Sequence, residues 1–458
     1  MKEVMYKQNK FTEWLNNRSP VQLIIIFYAI AVTIACLLLG APFAQKEGIS
    51  LPFMEVLFTS VSAVSVTGLS VVSIVDTFNT LGIFLLAFVL QFGGIGVMTI
   101  GTFVWILIGK KIGLKERRLI MVDHNQISFQ GMVKLMRGIL RLILLVELVG
   151  FLILGTYFLN YFSSWQEAYF NGFFASISAT TNAGFDITGQ SLVPFKDDYF
   201  VQLINISLII IGAIGFPVLI EVKDYLFSTS EERKFMRFSL FTKVTTLTYG
   251  ALLLFSFIIT ILLEWSHFFA DKKWHEIIFY SIFHSTTTRS AGLSTMDVSL
   301  LTEQTQLVTS MLMFIGASPS SVGGGIRTTT FALVIIFILT FARGKKNVTI
   351  FRREIHEEDL FKAVVVTLMA VFLFMTSVVI VSSLENYSLG SIIFEVSSAF
   401  GTTGLSMGIT AGLSEGSQIV LMFLMFIGRI GLLTFLFSFK KEKKGGEFHY
   451  PKERIIIG

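Results

Sequence analysis

Four short segments of this chain have the residue types of a cation-coordinating turn. Each is a run of small or β-branched residues that ends in a glycine, and the four glycines lie about a quarter of the 458-residue chain apart. Glycine adopts a positive φ without steric cost, so a turn of alternating handedness can direct successive carbonyl groups toward one axis. Carbonyl oxygens arranged in this way replace the hydration shell of a monovalent cation. The segments are residues 63–70, 179–186, 287–294 and 399–406.

These segments also have an ordinary structural interpretation. Serine or threonine beside glycine is common in turns and at contacts between membrane helices. However, a second glycine pattern follows every segment within the next apolar stretch, which argues against four chance copies. The recurrence of both glycine patterns in all four quarters of the chain therefore favours cation coordination. The second pattern occupies residues 93–96, 212–215, 316–319 and 428–431.

The elements that position these segments must lie in lipid, because the chain has too few charges to cover a water-exposed surface. Hydrophobic residues make up 53% of the sequence and charged residues 15%, whereas soluble proteins average about 25% charged residues. The mean hydropathy is +0.72. The single cysteine, Cys36, excludes an intramolecular disulfide, a cysteine-based zinc site and an iron–sulfur cluster. The histidines include no pair at metal-ligand spacing, so metalloenzyme chemistry is not expected.

Long and short apolar stretches alternate along the sequence. A helix needs about 20 apolar residues to cross a bilayer, so the short stretches are predicted to be re-entrant half-helices. Their return must be non-helical backbone at membrane depth, which is tolerated where it is buried in protein or lines an aqueous cavity. The short stretches are residues 52–64, 167–180, 274–287 and 389–400. The long ones are residues 20–45, 77–109, 148–166, 199–220, 244–263, 304–326, 363–384 and, interrupted by Arg429, 416–439.

The order of these stretches predicts an all-α polytopic membrane protein. Each quarter is a spanning helix, a re-entrant half-helix, a loop with the glycine and a return helix. The four tandem repeats are expected to surround a central pore with pseudo-fourfold symmetry. The predicted boundaries are 1–20 for the N-terminus, 21–110, 135–227, 243–342 and 362–439 for the repeats, and 440–458 for the tail.

The basic residues predict which side of the membrane each loop faces. Lysine and arginine are concentrated in the N-terminus, in the tail and in the loops at 110–141, 221–243 and 342–362. Under the positive-inside rule these segments, and hence both termini, are cytoplasmic. The same rule accounts for the net charge of +5, so no nucleic-acid partner is expected.

The third return helix is interrupted by residues that do not support a helix. Pro319 and the three consecutive glycines at 323–325 fall within a stretch that would otherwise span the membrane. The freed carbonyls and flexible backbone of residues 316–326, the segment named the gate loop, would lie below the glycine turns and face the cavity. A packing kink without functional consequence is the alternative.

Several charged residues fall at membrane depth, where a charge is costly unless it is paired or faces water. Arg429 either controls the gate loop, by hydrogen bonds or by repelling cations, or only satisfies neighbouring carbonyls. We expect Arg289 to brace its glycine turn from behind. Arg327 either closes the gate loop at its cytoplasmic end or is an anchor whose side chain extends to the membrane surface. Glu395 is a buried brace or attracts cations, and Asp186 is a candidate charge of the outer vestibule.

Together these features resemble the Trk/Ktr/HKT superfamily of potassium transporters, and within it the Ktr membrane subunit. The resemblance lies in four non-identical repeats with one glycine turn each, in Arg429, and in the Gly/Ser-rich break at 316–326. It extends over residues 20–440, nearly the whole chain. It implies potassium uptake across the bacterial cytoplasmic membrane through a filter of backbone carbonyls.

The resemblance also assigns roles to individual residues. Relatives with serine at the position of Gly68 are associated with sodium preference, so this glycine implies K⁺, with Rb⁺ as a substitute. The gate would comprise Gly316, Ala317, Ser318, Pro319, Gly323, Gly324, Gly325 and Arg429. The filter loops would be Val66, Thr67 and Gly68; Asn182, Ala183 and Gly184; Ser290, Ala291 and Gly292; and Thr402, Thr403 and Gly404.

Partners are implied in the same way. The chain contains no visible nucleotide-binding motif. The resemblance implies a cytosolic ring of Rossmann-type, nucleotide-binding regulatory subunits docked beneath a homodimer of this chain in the lipid membrane. The basic segments at 110–141, 342–362 and 440–444 are the candidate docking surfaces. No bound cofactor is expected, K⁺ is the transported ion, and Na⁺ is a candidate modulator.

Two other classes of protein fit the sequence less well. A solute–cation symporter with broken helices would have inverted repeats, whereas the four repeats of this chain run in the same direction. A membrane enzyme would need clustered histidine, aspartate or glutamate inside the membrane, and the sequence shows no such cluster, so enzymatic activity is not expected.

Overall fold

The computed structural model describes most of the chain. Parts of the predicted docking segments, residues 110–131 and 440–444, lie outside the described residues. The predicted docking loop at 342–362 lies within them. The described residues are 19–96, 132–438, Pro451, Glu453 and Ile455.

The helices follow the predicted order in the first two quarters. The first quarter contains α1 (Pro20–Leu39), α2 (Phe53–Ser65), the short α3 (Ile74–Thr77) and α4 (Thr80–Ile95). The second contains α5 (Met132–Phe158), α6 (Trp165–Thr180), α7 (Tyr199–Ala213), α8 (Phe216–Phe227) and the short α9 (Ser230–Phe235).

The same order recurs in the second half of the chain. The third quarter contains α10 (Leu240–Glu264), α11 (Trp274–Thr287), α12 (Glu303–Phe314) and α13 (Thr328–Ala342). A hairpin of β1 (Thr349–Ile350) and β2 (Arg353–Glu354), paired antiparallel, leads to the fourth quarter. That quarter contains α14 (Glu357–Leu384), α15 (Leu389–Gly401), α16 (Glu415–Ile430) and α17 (Leu432–Ser438). Single turns of 3₁₀-helix occur at Pro42–Ala44, Val193–Phe195, Val298–Leu300 and Thr410–Gly412.

The first helix of each quarter is a membrane span. Among the described residues, α1, α5, α10 and α14 are the four unbroken helices that are long and apolar enough to cross a bilayer. Ser19 begins α1 by accepting a hydrogen bond from the N–H of Gln22 at 3.2 Å, and Ser239 begins α10 in the same way from Thr242 at 3.1 Å. Beyond such caps, an apolar helix satisfies its own backbone in lipid.

The prediction that the second-quarter span begins at residue 148 is wrong. Helix α5 begins at Met132 and therefore includes Glu147 and Arg141. A search for uninterrupted apolar residues stops at Glu147, but this side chain is 6% exposed and bonded to Gln91 across the helix packing. Because the predicted span is a stretch without charged residues, Glu147 excludes the first half of the helix from it.

The second helix of each quarter is the predicted re-entrant half-helix. These four pore helices, α2, α6, α11 and α15, have 13 to 16 residues and are too short to cross. Their C-terminal halves are buried. Each pore helix contains a phenylalanine with an exposed fraction of 0–1%, nine or ten residues before the glycine that ends its filter loop, called the filter glycine. The phenylalanines are Phe58, Phe174, Phe283 and Phe394.

The return helices are interrupted more often than the sequence analysis predicted. A break was expected only in the third quarter, but α7 and α8 also meet at an angle of 108° across Gly215. Helix α4 ends before Gly96, and α16 ends before Gly431. The three glycines have φ values of 91° to 103°, which a helix cannot accommodate. The last glycine of the second pattern is therefore a helix-breaking position.

The first glycine of the same pattern packs a return helix against a pore helix. A Cβ atom added at Gly93, Gly212 or Gly428 would collide with a main-chain carbonyl oxygen of the pore helix in the same quarter. In all three quarters this carbonyl belongs to the residue four positions before the filter glycine. These residues are Val64, Thr180 and Phe400. The pore helix is thus held at its C-terminal end.

Gly428→Ala should destabilise the protein, because the methyl group would press on the Phe400 carbonyl. Overpacking of this kind costs about 1–3 kcal/mol. Gly250→Ala is the matched control, because Gly250 lies in α10 with open space around its Cβ position, and alanine there should gain about 0.5–1 kcal/mol. Thermal unfolding of the purified protein measures both changes, and equal effects would contradict the packing described.

Candidate functional site

Three of the four pore helices end in the same cap. In the first, the N–H of Thr67 donates to the Ser62 carbonyl at 2.8 Å, and the N–H of Val66 donates to the Ala63 carbonyl at 3.2 Å. This is the Schellman arrangement, which ends a helix on a residue in the left-handed region. The second and fourth pore helices repeat both bonds at the same two distances.

Each filter loop contains two residues with a positive φ, and the first of them is not glycine. Its φ lies between 47° and 71°, and the filter glycine two residues later has a φ between 69° and 95°. A positive φ at a non-glycine residue costs free energy and persists only where the surrounding structure imposes it. All four loops therefore have the alternating handedness that the sequence predicts. The non-glycine residues are Val66, Asn182, Ser290 and Thr402.

The four filter glycines meet in a closed ring. A Cβ atom on Gly68 would lie 2.5 Å from the Ala183 carbonyl oxygen and 3.0 Å from the Cα of Gly184. The second loop meets the third through the corresponding atoms, the third meets the fourth, and the fourth returns to the first. A side chain at any of the four positions would displace the carbonyl of the next repeat.

The ring gathers main-chain oxygens from all four repeats. The carbonyls at the contacts belong to the residue before each filter glycine: Thr67, Ala183, Ala291 and Thr403. Each pore helix ends just before its filter loop, so the negative ends of four helix dipoles point toward the ring. This arrangement favours a cation and offers it neutral oxygen ligands.

Hydroxyl groups behind the filter loops hold the main chain in place. In the first and fourth repeats, the hydroxyls of Ser62 and Ser398 accept from the N–H groups of Gly68 and Gly404 at 3.1 and 3.0 Å. In the second and third repeats, the hydroxyls of Ser178 and Thr287 donate to the main-chain carbonyls of the residues that follow the filter glycines, both at 2.5 Å. These residues are not among the predicted filter residues, and a serine or threonine five or six positions before each filter glycine is the sequence signal that marks them. They are Ser62, Ser178, Thr287 and Ser398.

The gate loop lies against the filter loops and is buried along its whole length. A Cβ atom on Gly323 would lie 2.6 Å from the Cβ of Ser290, and one on Gly324 would lie 2.5 Å from the Thr402 hydroxyl. Gly325 has a φ of 73°. The glycine run therefore lets the loop pass directly beneath the third and fourth filter loops.

The gate loop is tied to the break in the second return helix. The N–H of Ser318 donates to the Ala213 carbonyl at 3.1 Å, and the N–H of Val322 donates to the Gly212 carbonyl at 3.2 Å. In return, the Ser320 carbonyl accepts from the N–H of Phe216 at 2.8 Å. The break between α7 and α8 thus exposes the backbone groups that the loop uses.

Arg429 joins the gate loop to the first repeat. Its guanidinium donates to the Val322 carbonyl of the loop, to the Gly93 carbonyl, and to the Gly94 carbonyl at 3.0 Å. The side chain is buried, with 6% of its surface exposed. The predicted contact with the gate loop is present, whereas no sequence pattern indicates the two carbonyls at the end of α4.

The sequence matches the TrkH family, described as cation transport protein, over residues 9–449. The chain belongs to the TrkH family. Ktr system potassium uptake protein D of Bacillus subtilis is 59% identical over 449 residues, covering 98% of this chain and 99% of that protein. Ktr system potassium uptake protein B of the same organism is 33% identical over 461 residues, with 99% of both chains covered.

The fold agrees with a solved structure of the same family. The crystal structure of the potassium transporter TrkH from Vibrio parahaemolyticus matches with a TM-score of 0.73 at 15% identity, over 93% of this chain and 86% of that one. The predicted class, an all-α polytopic protein with four tandem repeats in a pseudo-fourfold arrangement, is confirmed. The chain is a multi-pass membrane protein of a cation transport family.

In this TrkH family member the third filter loop is braced by an arginine. Arg289 is fully buried and donates to the carbonyls of Leu312 and, at 2.7 Å, Ile315, where α12 gives way to the gate loop. It therefore points away from the ring, as expected, and connects the filter to the start of the loop. Arg327 donates to the Gly323 carbonyl at the other end of the loop.

The two acidic candidates both serve as braces. Glu395 is buried and accepts from the hydroxyls of Ser406 and Thr410 and from the N–H of Met407. Asp186 accepts through one oxygen from the N–H groups of Thr188, Gly189 and Ser191 at 2.7–3.1 Å, which fixes the loop after the second filter loop.

Arg289→Met should destabilise the protein strongly, because it removes a buried charged donor from two helix-end carbonyls. We expect a loss of about 3 kcal/mol or more in the free energy of unfolding. Arg343→Met, at an exposed position after α13, should stay within about 0.5 kcal/mol of the wild type. Thermal unfolding compares them, and similar melting temperatures would refute the bracing role.

Proposed function

We propose that this chain takes up K⁺ through the ring formed by its filter loops. The observation that carries the proposal is the closed contact of the four filter glycines. A K⁺ ion on the axis of this ring would exchange its hydration shell for main-chain oxygens from every repeat. The identity of 59% to a potassium uptake protein supports K⁺ as the transported ion.

The proposed gate is the loop at 316–326 together with Arg429. The loop packs beneath two filter loops, and hydrogen bonds from Arg429 and from the second return helix hold it there. In this position it obstructs the path from the ring to the cytoplasm. Conduction requires the loop to move, and the bonds to Arg429 set the free energy of that movement.

The proposed regulation comes from outside the membrane domain. We infer a homodimer with cytoplasmic termini, controlled by a cytosolic ring of nucleotide-binding subunits and modulated by Na⁺. Two observations support this: relatives are named as parts of a Ktr system, and the segment at 342–362 exposes basic residues. These are Arg343, Lys345, Lys346, Arg352 and Arg353. In this proposal the chain is a transporter and not an enzyme.

Gly68→Ser should weaken the preference for K⁺ over Na⁺, because the new side chain displaces the Ala183 carbonyl. We expect the selectivity to fall by about tenfold, or ~1.4 kcal/mol of discrimination. Competition between Rb⁺ and Na⁺ for uptake into proteoliposomes measures it. Gly48→Ser is the matched control, because Gly48 has a φ of 81° but no atom near its Cβ position. Unchanged selectivity in Gly68→Ser would count against the filter.

Deletion of residues 318–325 should raise Rb⁺ uptake, because it removes the segment that lies beneath the ring. Arg429→Ala should act in the same direction through loss of the bond to the Val322 carbonyl. Uptake is measured in proteoliposomes with protein whose melting transition shows that it is folded. Reduced uptake by a folded deletion variant would show that the loop is not an obstruction.

A further inference from the structure

One buried glutamate of the membrane domain forms its hydrogen bonds with residues that belong to neither the filter loops nor the gate loop. Glu147 lies in the middle of α5, and Gln91 of α4 donates from Nε2 to its Oε2 at 2.6 Å. The main-chain carbonyl of Glu147 accepts from the Ser176 hydroxyl of the second pore helix at 2.8 Å. The Gln91–Glu147 pair therefore links the first repeat to the second beside a pore helix.

The pair leaves two buried oxygens without a donor. Within the described residues, neither Glu147 Oε1 nor Gln91 Oε1 has a hydrogen-bond partner. A buried acceptor without a donor costs about 1–3 kcal/mol, and an ionised carboxylate costs more. An ionised glutamate offers only acceptors, so it cannot satisfy the oxygen of Gln91.

In the part of the chain that the structure describes, no positive charge pairs with an ionised Glu147. The described residues contain no ion pair to it, and α4 and α7 contain no charged residue. Arg141 lies six residues earlier on α5, about 9 Å along the helix axis, and is exposed. On α6, Glu167 lies nine residues from Ser176, about 13 Å away along the axis. A lone carboxylate at this depth is expensive.

We propose that Glu147 is a proton-binding site and forms a neutral acid–amide pair with Gln91. One proton on Oε1 converts the carboxylate to a carboxylic acid, which has an O–H donor. That donor serves the oxygen of Gln91, while the existing N–H···O bond is kept. A single proton, taken up from water, thus neutralises the carboxylate and allows a hydrogen bond between the two oxygens that otherwise lack a partner.

A proton suits the site better than an alkali cation. Protein sites for such cations surround the ion with oxygens from several groups. Here two oxygens are free, the third is occupied by the amide of Gln91, and the Ser176 hydroxyl donates to the main chain. The proposal concerns residues that belong to neither the filter loops nor the gate loop, and it does not depend on which ion the protein transports.

Infrared spectroscopy of the full-length protein in lipid tests the proposal. The wild type should show the carbonyl stretch of a protonated carboxyl group, and Glu147→Gln should lose that band. Glu264→Gln is the matched control, because Glu264 is fully buried but accepts from donors on both oxygens, including Thr302 and Phe268. Its removal should leave the band unchanged. If Glu395 or another buried carboxyl group contributes to the same band, the Glu147 component is the difference between wild type and variant. A band of unchanged position and intensity in Glu147→Gln would overturn the proposal.

A melting experiment separates a proton from a cation at this site. The melting temperatures of the wild type and Glu147→Gln are compared in NaCl and in choline chloride. If Glu147 holds a proton, the difference between the two salts is the same in both proteins. A sodium-dependent stabilisation that disappears in Glu147→Gln would assign the site to Na⁺ instead. Both experiments stay informative if the proposed K⁺ uptake is wrong, because neither measures transport.

Discussion

The structure depends on four places where nothing larger than a hydrogen atom fits. At each filter glycine, the Cα of one repeat lies against a carbonyl and a Cα of the next, and the contacts close into a ring. Close approach of this kind is open only to glycine, and the same residue permits the positive φ that the loop requires. The short pore helices, their buried phenylalanines and the hydroxyls behind the loops all serve to hold this contact.

The third repeat differs from the others in the packing of its return helix. In the other three repeats, the first glycine of the second pattern packs against the end of a pore helix. In the third, the corresponding Gly316 packs against Gly324 of the gate loop instead. Without that contact, the third return helix ends at Phe314 and the chain continues as the gate loop. Two buried arginines, Arg289 and Arg429, then donate to carbonyls at the helix breaks. The symmetry that builds the ring is thus broken by the segment that lies beneath it.

Much of this arrangement was predictable from the sequence, because it is repeated. The half-helix at 274–287 is predicted to the residue, and the positive φ of each filter glycine is expected from its residue type, whereas the positive φ two residues earlier is not. The breaks at Gly215 and Gly431 were missed, because glycine alone does not distinguish a helix contact from a helix end. The partners of Arg429 and the contact between Glu147 and Gln91 join residues far apart in the chain, and no local pattern encodes them.

The central claim is that carbonyls from four repeats share one ion. Anomalous diffraction from crystals grown in Rb⁺ tests it most directly, because the ion can be located without any assumption about the protein. The structure predicts Rb⁺ peaks on the axis of the ring, coordinated by the carbonyls of the residues that precede the filter glycines, such as Thr67 and Ala183. Rb⁺ peaks elsewhere in the membrane domain, with none at the ring, would contradict the account.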